Sequence, residues 1–311
     1  MKESSVCIVG VLDNPASTNV SMAHSFIKLG INVLPVNYRT VISNLGMPFF
    51  EDYLINLVKR HQPKLVLFSK CNGVNPEIVA ECSKFAKTWL FNMDPQATIE
   101  RCPEVIDHAR NSHFSSCTGE DIVEWFESFG VKNCYHIIQG TDQDVFRPVE
   151  PVDELKADIS FIGAETEERV KMLKYLEDLG YVVRSYGVGF SDKEMVNLDF
   201  SKVCASSRFM LSMNTYNNVH RGYFSNRLVR YLSCGACTLH YDTTGSLDKF
   251  FDHNKEVFYF GDVEELTHLM MTDNETACRV AMAGRDKVLN NYTWDHIIRH
   301  ILKIAFDNNP I

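Results

Sequence analysis

Apolar positions along the chain fall into two alternating rhythms. Short unbroken apolar runs, the mark of strands buried on both faces, are followed by stretches with apolar residues every three or four positions, the mark of helices. "SVCIVGVL" (5–12), "INVLPVNY" (31–38), "KLVLFSK" (64–70), "KTWLFNMD" (87–94), "HFSSCT" (113–118) and "CYHIIQG" (134–140) read as strands. Between them "NVSMAHSFIKLG" (19–30), "FFEDYLINLVKR" (49–60), "PEIVAECSKFA" (76–86) and "GEDIVEWFESFG" (119–130) read as helices, the first capped by Asn19 or Ser21 and ended by Gly30. A repeated strand–helix alternation with continuous apolar strands implies a parallel sheet covered on both faces.

The rhythm breaks at 140–158, where Pro148, Pro151 and several acidic residues read as a linker. A second series follows. Strands are expected at 157–163, 181–187, 208–214, 236–242 and 256–260, and helices at 166–180, 199–207, 225–234, 246–252, 262–271 and 275–290. A last helix runs from about Thr293 to Phe306. The fold class expected is α/β, with two doubly wound parallel-sheet domains, 1–147 and 148–291, and a segment 292–311 whose helix crosses back onto the first domain.

Bulk properties narrow the function. The 311 residues suffice for two medium domains. A formal net charge of −9 argues against a broad nucleic-acid surface. No apolar run reaches the roughly 18 residues of a membrane span, and the opening "MKESSVCIVG" is too short for a secretory leader. Ten scattered cysteines without a dense framework suit free thiols and a cytoplasmic location.

Several motifs carry candidate chemistry. Cys234-Gly-Ala-Cys237 lies at a helix end with no second pair to complete a zinc site, so it reads as packing around a turn at Gly235. Asp142-Gln-Asp144 has the spacing of a divalent-metal pair but opens the proline-containing linker. No P-loop is present, and "YGVGF" (186–190) lacks the third glycine of a dinucleotide fingerprint. The polar loop "VGVLDNPASTN" (9–19), between the first strand and helix, has the position of a ligand-facing turn. Asn92 and Asp94 end a strand at the carboxyl edge of the first sheet, where substrate-orienting groups collect; His24 is weighed as a base against a packed histidine. Arg227 sits in the first turn of its helix, an arrangement suited to a diphosphate. Thr243, Thr244, Gly245 and Ser246 are expected to open the next helix, giving two neighbouring helix N-termini.

The second half resembles the CgeB-like glycosyltransferases. The resemblance rests on "ADISFIGAETEERVKMLKYLEDLGYVVRSYG", on "SNRLVRYLSCGACTLHYDTTGSLDKFFDHNKEVFYFGDVEELTHLM", on the linker "GTDQDVFRP" and on the closing "AGRDKVLNNYTWDHIIRHIL". It covers about 140–305 well and 89–140 loosely, and 1–88 only in pattern. It implies the GT-B fold of glycosyl transferases group 1, with an acceptor domain followed by a nucleotide-sugar donor domain, and it makes Asp142 and Asp144 part of a linker. It implies transfer of a hexose from a nucleotide diphosphate sugar, a UDP-sugar such as UDP-glucose foremost, without a metal ion. Arg227 would hold the diphosphate with Arg169 as a second cation. Ser225, Asn226, Thr243, Thr244, Gly245, Ser246, Gly163, Tyr186 and Arg230 would complete the donor site, with Asp94 and His24 acting on the acceptor hydroxyl. One departure stands out. Arg230 occupies the position at which related retaining enzymes carry a ribose-binding Glu, and Gly222 the earlier acidic position. A nucleotide- or partner-binding protein without turnover is the alternative this suggests. A phage-type DNA base glycosyltransferase is a third, supported only by the basic stretch "VHRGYFSNRLVR". The acceptor stays open among small molecule, polysaccharide, protein and modified DNA base.

Overall fold

A computed structural model describes residues 5–191, 194–214 and 220–306. Two compact units emerge, one formed by the chain through Gln139 together with the segment from Trp294 onward, the other by Gly140–Thr293.

The first unit is a six-stranded sheet, every pair parallel, built from β1 (Ser5–Gly10), β2 (Asn32–Asn37), β3 (Leu65–Ser69), β4 (Lys87–Phe91), β5 (Phe114–Cys117) and β6 (Cys134–His136) in the order β2-β1-β3-β4-β5-β6. The central strands are buried along their length: all five residues of β3 and Val6–Val9 of β1 are buried. Their backbone groups pair in the ladder, so continuous apolar sequence meets no polar penalty. The helices are α1 (Thr18–Lys28), α2 (Tyr38–Leu45), α3 (Met47–His61), α4 (Pro76–Ser83), α5 (Gln96–Ile99), α6 (Glu104–Asn111) and α7 (Glu120–Ser128). Of these, α2, α5 and α6 lie in stretches whose periodicity was too short to announce them.

The cap of α1 is Ser17, which accepts a hydrogen bond from the Asn19 amide, and not Asn19 or Ser21. Asn19 is drawn inward instead. Its Oδ1 accepts from the Ser69 hydroxyl at 2.5 Å, tying the helix start to the end of β3. The last helix, α13 (Trp294–Phe306), belongs to this unit and packs on α1. Asp295 accepts from Ser25 at 2.6 Å and pairs with Lys28 at 3.2 Å, while Trp294 meets Phe91 edge-on at 5.9 Å.

The second unit is a five-stranded parallel sheet of β7 (Ala157–Ile162), β8 (Val183–Tyr186), β9 (Ser207–Ser212), β10 (Thr238–Tyr241) and β11 (Phe258–Phe260), ordered β11-β10-β9-β7-β8. Its helices are α8 (Glu167–Asp178), α9 (Leu198–Ser206), α10 (Asn226–Ser233), α11 (Val263–Met270) and α12 (Asn274–Asn291). Thr166, Asp262 and Asp273 cap α8, α11 and α12 through their side chains.

Two local features differ from the sequence reading. Residues 246–252 form no helix: Phe250 and Phe251 both donate to Leu247 and the chain then turns away. Residues 140–146 are packed, and most of 147–156 is exposed. Thr141 donates to Tyr292, Phe146 is buried against Phe200, and the Ser233 hydroxyl donates to the Phe146 carbonyl at 2.6 Å. The second compact unit runs from Gly140 to Thr293.

All ten cysteines are free thiols. At the end of α10 the Gly235 amide donates to Leu232 and that of Ala236 to Tyr231, with Gly235 at φ 74°, so the Cys-Gly-Ala-Cys stretch is a helix-ending turn. Asp142 accepts the Asp144 amide at 3.1 Å, which makes this pair a capped turn. Among the described residues, no helix is long and apolar enough to cross a membrane.

Candidate functional site

At the carboxyl edge of the second sheet, three arginines gather around the ends of β7 and β9 and the start of α10. Arg227 lies in the first turn of α10, half-buried. Its Nε donates to the Ile162 carbonyl at 2.5 Å and its Nη1 to the Met213 carbonyl at 2.6 Å. Arg169, from the first turn of α8, is buried at 2% exposure and donates to Ala164 at 2.7 Å and to the same Met213 carbonyl at 3.0 Å. Both guanidinium groups lie over the Phe161 ring, at 4.8 Å and 5.0 Å from its centroid. Arg230, one turn further along α10, lies 4.4 Å over the Phe146 ring.

Local sequence explains how these charges come together. Gly163 follows β7, and a Cβ there would press on the Arg227 guanidinium, 3.0 Å from its Cζ. Its amide donates to the Tyr186 carbonyl at 2.8 Å, and the next strand leaves through Gly187, at φ 116°, where a Cβ would lie 2.5 Å from the Gly163 oxygen. Only glycine fits that approach. Asn214, buried just past β9, sets the start of α10: it donates to the Tyr223 carbonyl at 3.1 Å and accepts the Ser225 amide at 2.9 Å. Ser225 then stands at the cap position of α10 with extended backbone, but its side chain makes no capping hydrogen bond. Asn226 follows as the first helical residue.

Burial is the main influence on these charges. Together with the neighbouring positive charge of Arg227, the lesser cause, it pushes Arg169 and Arg230 down to about 10. Arg227 itself is lowered by burial. Among the described residues Arg227 has no carboxylate partner, and its hydrogen bonds end on backbone carbonyls. A cation held against other cations in a poorly solvated place stabilises an incoming anion.

The loop after β10 is folded on itself. Asp242 accepts both the Thr244 amide, at 2.8 Å, and its hydroxyl, at 2.7 Å. Thr244 and Ser246 share a hydroxyl bond of 2.6 Å, and Ser246 accepts the Gly222 amide at 2.8 Å. Gly222 is the position at which the family resemblance expects an acid, so this bond fills its surroundings differently. Since no helix starts at Ser246, α10 supplies, among the described residues, the one helix N-terminus at this loop pair, and Thr243 to Ser246 contribute a turn with Gly245 at φ 60°. Beneath the loop, His240 is fully buried, bonded through Nδ1 to the Ser212 hydroxyl at 2.8 Å. Burial, aided by Arg227, pushes it down to about 4 against the pull of Asp242.

In the first unit, Asp94 follows β4 as expected at the carboxyl edge of the sheet. It pairs with Lys70 at 2.5 Å, and its main chain is clasped by Asn92, which donates to the Asp94 carbonyl at 3.1 Å. His24 lies in the middle of α1, half-buried. The 9–19 loop is bonded within itself and to α2: Asn14 accepts the Ala16 amide and Asp13 accepts the Thr40 hydroxyl.

Sequence reasoning missed Phe161, Asn214, Lys70 and His240. Phe161 and His240 read only as strand residues, and nothing local marks Asn214 or Lys70 as polar anchors.

Comparison with known proteins adds to this geometry. Residues 150–303 match a family described as glycosyl transferase-like. No curated protein matches the chain. Among solved structures, a glycosyltransferase from Rickettsia africae ESF-5 is similar with a TM-score of 0.60 at 12% identity, over 99% of each chain. Sucrose-phosphate synthase from Thermosynechococcus elongatus is similar with a TM-score of 0.67 at 11% identity, over 98% of this chain and 99% of that one. A TarM variant from S. aureus, in complex with fondaparinux, alpha-GlcNAc-glycerol and UDP, is similar with a TM-score of 0.56 at 10% identity, over 82% of this chain and 59% of that one.

Proposed function

We propose that this chain, a glycosyltransferase of the GT-B type, moves a hexose from a nucleotide diphosphate sugar to a hydroxyl acceptor. UDP-glucose is the donor favoured, and no metal ion is required; within the wider family the CgeB-like enzymes are the subgroup we favour. The observation that carries the reading is Arg227: a guanidinium in the first turn of α10, between the ends of β7 and β9, bonded to carbonyls and to no carboxylate among the described residues. The UDP seen with the similar TarM variant is consistent with such a donor.

As the glycosidic bond to the diphosphate breaks, negative charge grows on the leaving phosphate. A preorganised guanidinium and the α10 N-terminus stabilise that charge with no reorganisation at the moment of reaction. This supply of positive charge is what supports a metal-independent mechanism. Arg227 contacts the diphosphate through the N–H groups its carbonyl bonds leave over. Arg169, buried behind Phe161, holds the Met213 carbonyl and the turn after β7, and adds its charge at longer range. Arg230, Ser225, Asn226, Gly163, Tyr186 and the 243–246 loop line the same donor. Asp94 and His24, in the first unit, orient the acceptor and take its proton.

Arg230 favours a second reading, a protein that binds the nucleotide without turnover, because it places a cation over Phe146 where related enzymes hold the ribose with an acid. One experiment separates the two. Calorimetry with a panel of nucleotide sugars is followed by an assay of sugar release or transfer, read by mass spectrometry. Transfer that disappears in Arg227→Ala establishes the enzyme. Binding without turnover establishes the second reading, and neither binding nor turnover overturns both.

A further inference from the structure

We infer that Lys70 is the positioning residue for the Asp94 carboxylate, an inference that rests on the reading above that Asp94 acts on the acceptor. Lys70 is the first residue past β3, the strand beside β4 in the sheet. Lys70 and Cys71 are both in the left-handed region, at φ 62° and 60°. Two successive residues with a Cβ rarely adopt it, and a glycine at either position would relieve the backbone. The segment is pinned from several sides. The Lys70 amide donates to Phe91 at 3.1 Å, extending the ladder to β4, and the Cys71 thiol donates to the Val9 carbonyl at 3.4 Å. Two residues on, the Gly73 amide donates to Glu104 at 2.8 Å.

The product of this constrained path is one contact, Lys70 Nζ to Asp94 Oδ1 at 2.5 Å. The Lys70 side chain is 35% exposed and that of Asp94 16%. Asn92, itself buried, fixes the Asp94 main chain from the other side. The carboxylate is thus held both at its backbone and at its head, on the carboxyl edge of adjoining central strands where parallel sheets receive ligands. An ion pair present for stability alone gains little at such partial exposure and would not require the disfavoured backbone at Lys70. A carboxylate that must meet a hydroxyl in one orientation does need such support.

The test uses the full chain and a nucleotide sugar that the panel above finds consumed, with release of the nucleoside diphosphate as the readout. Lys70→Gly is expected to lower kcat about ten-fold or more with the donor KM unchanged, while the melting temperature holds or rises. Lys70→Arg restores most of the kcat, and adding Lys70→Gly to Asp94→Asn costs nothing further. Wild-type kcat in Lys70→Gly, or a loss that adds to that of Asp94→Asn, overturns the role of Lys70 and leaves that of Asp94 standing. Wild-type kcat in Asp94→Asn overturns the acceptor reading and the inference with it.

Discussion

Arg227→Ala is the perturbation that probes the donor site most directly. Two charge-assisted hydrogen bonds disappear, those to Ile162 and Met213. Such bonds contribute about 1.5–3 kcal/mol each, but the loss is partly offset. The Met213 carbonyl still accepts from Arg169 at 3.0 Å, so the Ile162 carbonyl bears most of the change. Removing the charge also relieves the repulsion that lowers Arg169 and Arg230. The net cost to stability is therefore about 1–2 kcal/mol, and the domain stays folded. Binding of a diphosphate loses one guanidinium contact made with little access of water, about 2–3 kcal/mol, which is roughly 25- to 150-fold in affinity. Turnover falls by about 100-fold or more if the same contact tightens as charge builds on the leaving group. Isothermal calorimetry with UDP measures the first quantity, and nucleoside diphosphate release at saturating donor the second. Melting curves show whether the fold is kept. Wild-type affinity and turnover in a folded Arg227→Ala protein would refute the assignment of the donor site to α10.

Other outcomes follow from the same geometry. Gly163→Ala places a methyl group against the Arg227 guanidinium; UDP affinity drops by about ten-fold with a small fall in melting temperature. His240, pushed by burial from 6.5 to about 4, takes up its proton more readily in the unfolded chain. Its contribution to stability is complete above pH 6.5 and is lost as the pH falls from there toward 4, with His108 and His113 lowered in the same direction by burial. In His240→Asn, thermal melts between pH 7 and 4 flatten, and an unchanged slope shows the histidine to be irrelevant. Asp273→Ala removes the cap bonded to the Thr276 amide at 2.9 Å and costs about 1 kcal/mol in chemical denaturation, with donor affinity unchanged.

The alternation of strands and helices was legible in the sequence because it is a local property. A strand covered on both faces must be apolar throughout, as in "LVLFS" of β3, and a helix against one face shows its period within a dozen residues. The turn at Gly235 was legible for the same reason, since its bonds to Leu232 and Tyr231 span only a few residues. Arg227 was visible because a cation in the first turn of a helix is a pattern in adjacent residues. The rest required the folded chain. Phe161 becomes a platform only when α8 and α10 bring Arg169 and Arg227 over it, and Met213 joins them through its backbone, which no side-chain pattern records. Asn19 reads as a cap and becomes a buried anchor because Ser69, fifty residues later, presents a hydroxyl to it. Residues 246–252 have helical composition but turn after Leu247, and Lys70 gains a role only through Asp94 on the neighbouring strand. Local periodicity settles which face of an element is buried; tertiary contact between distant residues settles which polar groups meet, and the chemistry of the site lies there.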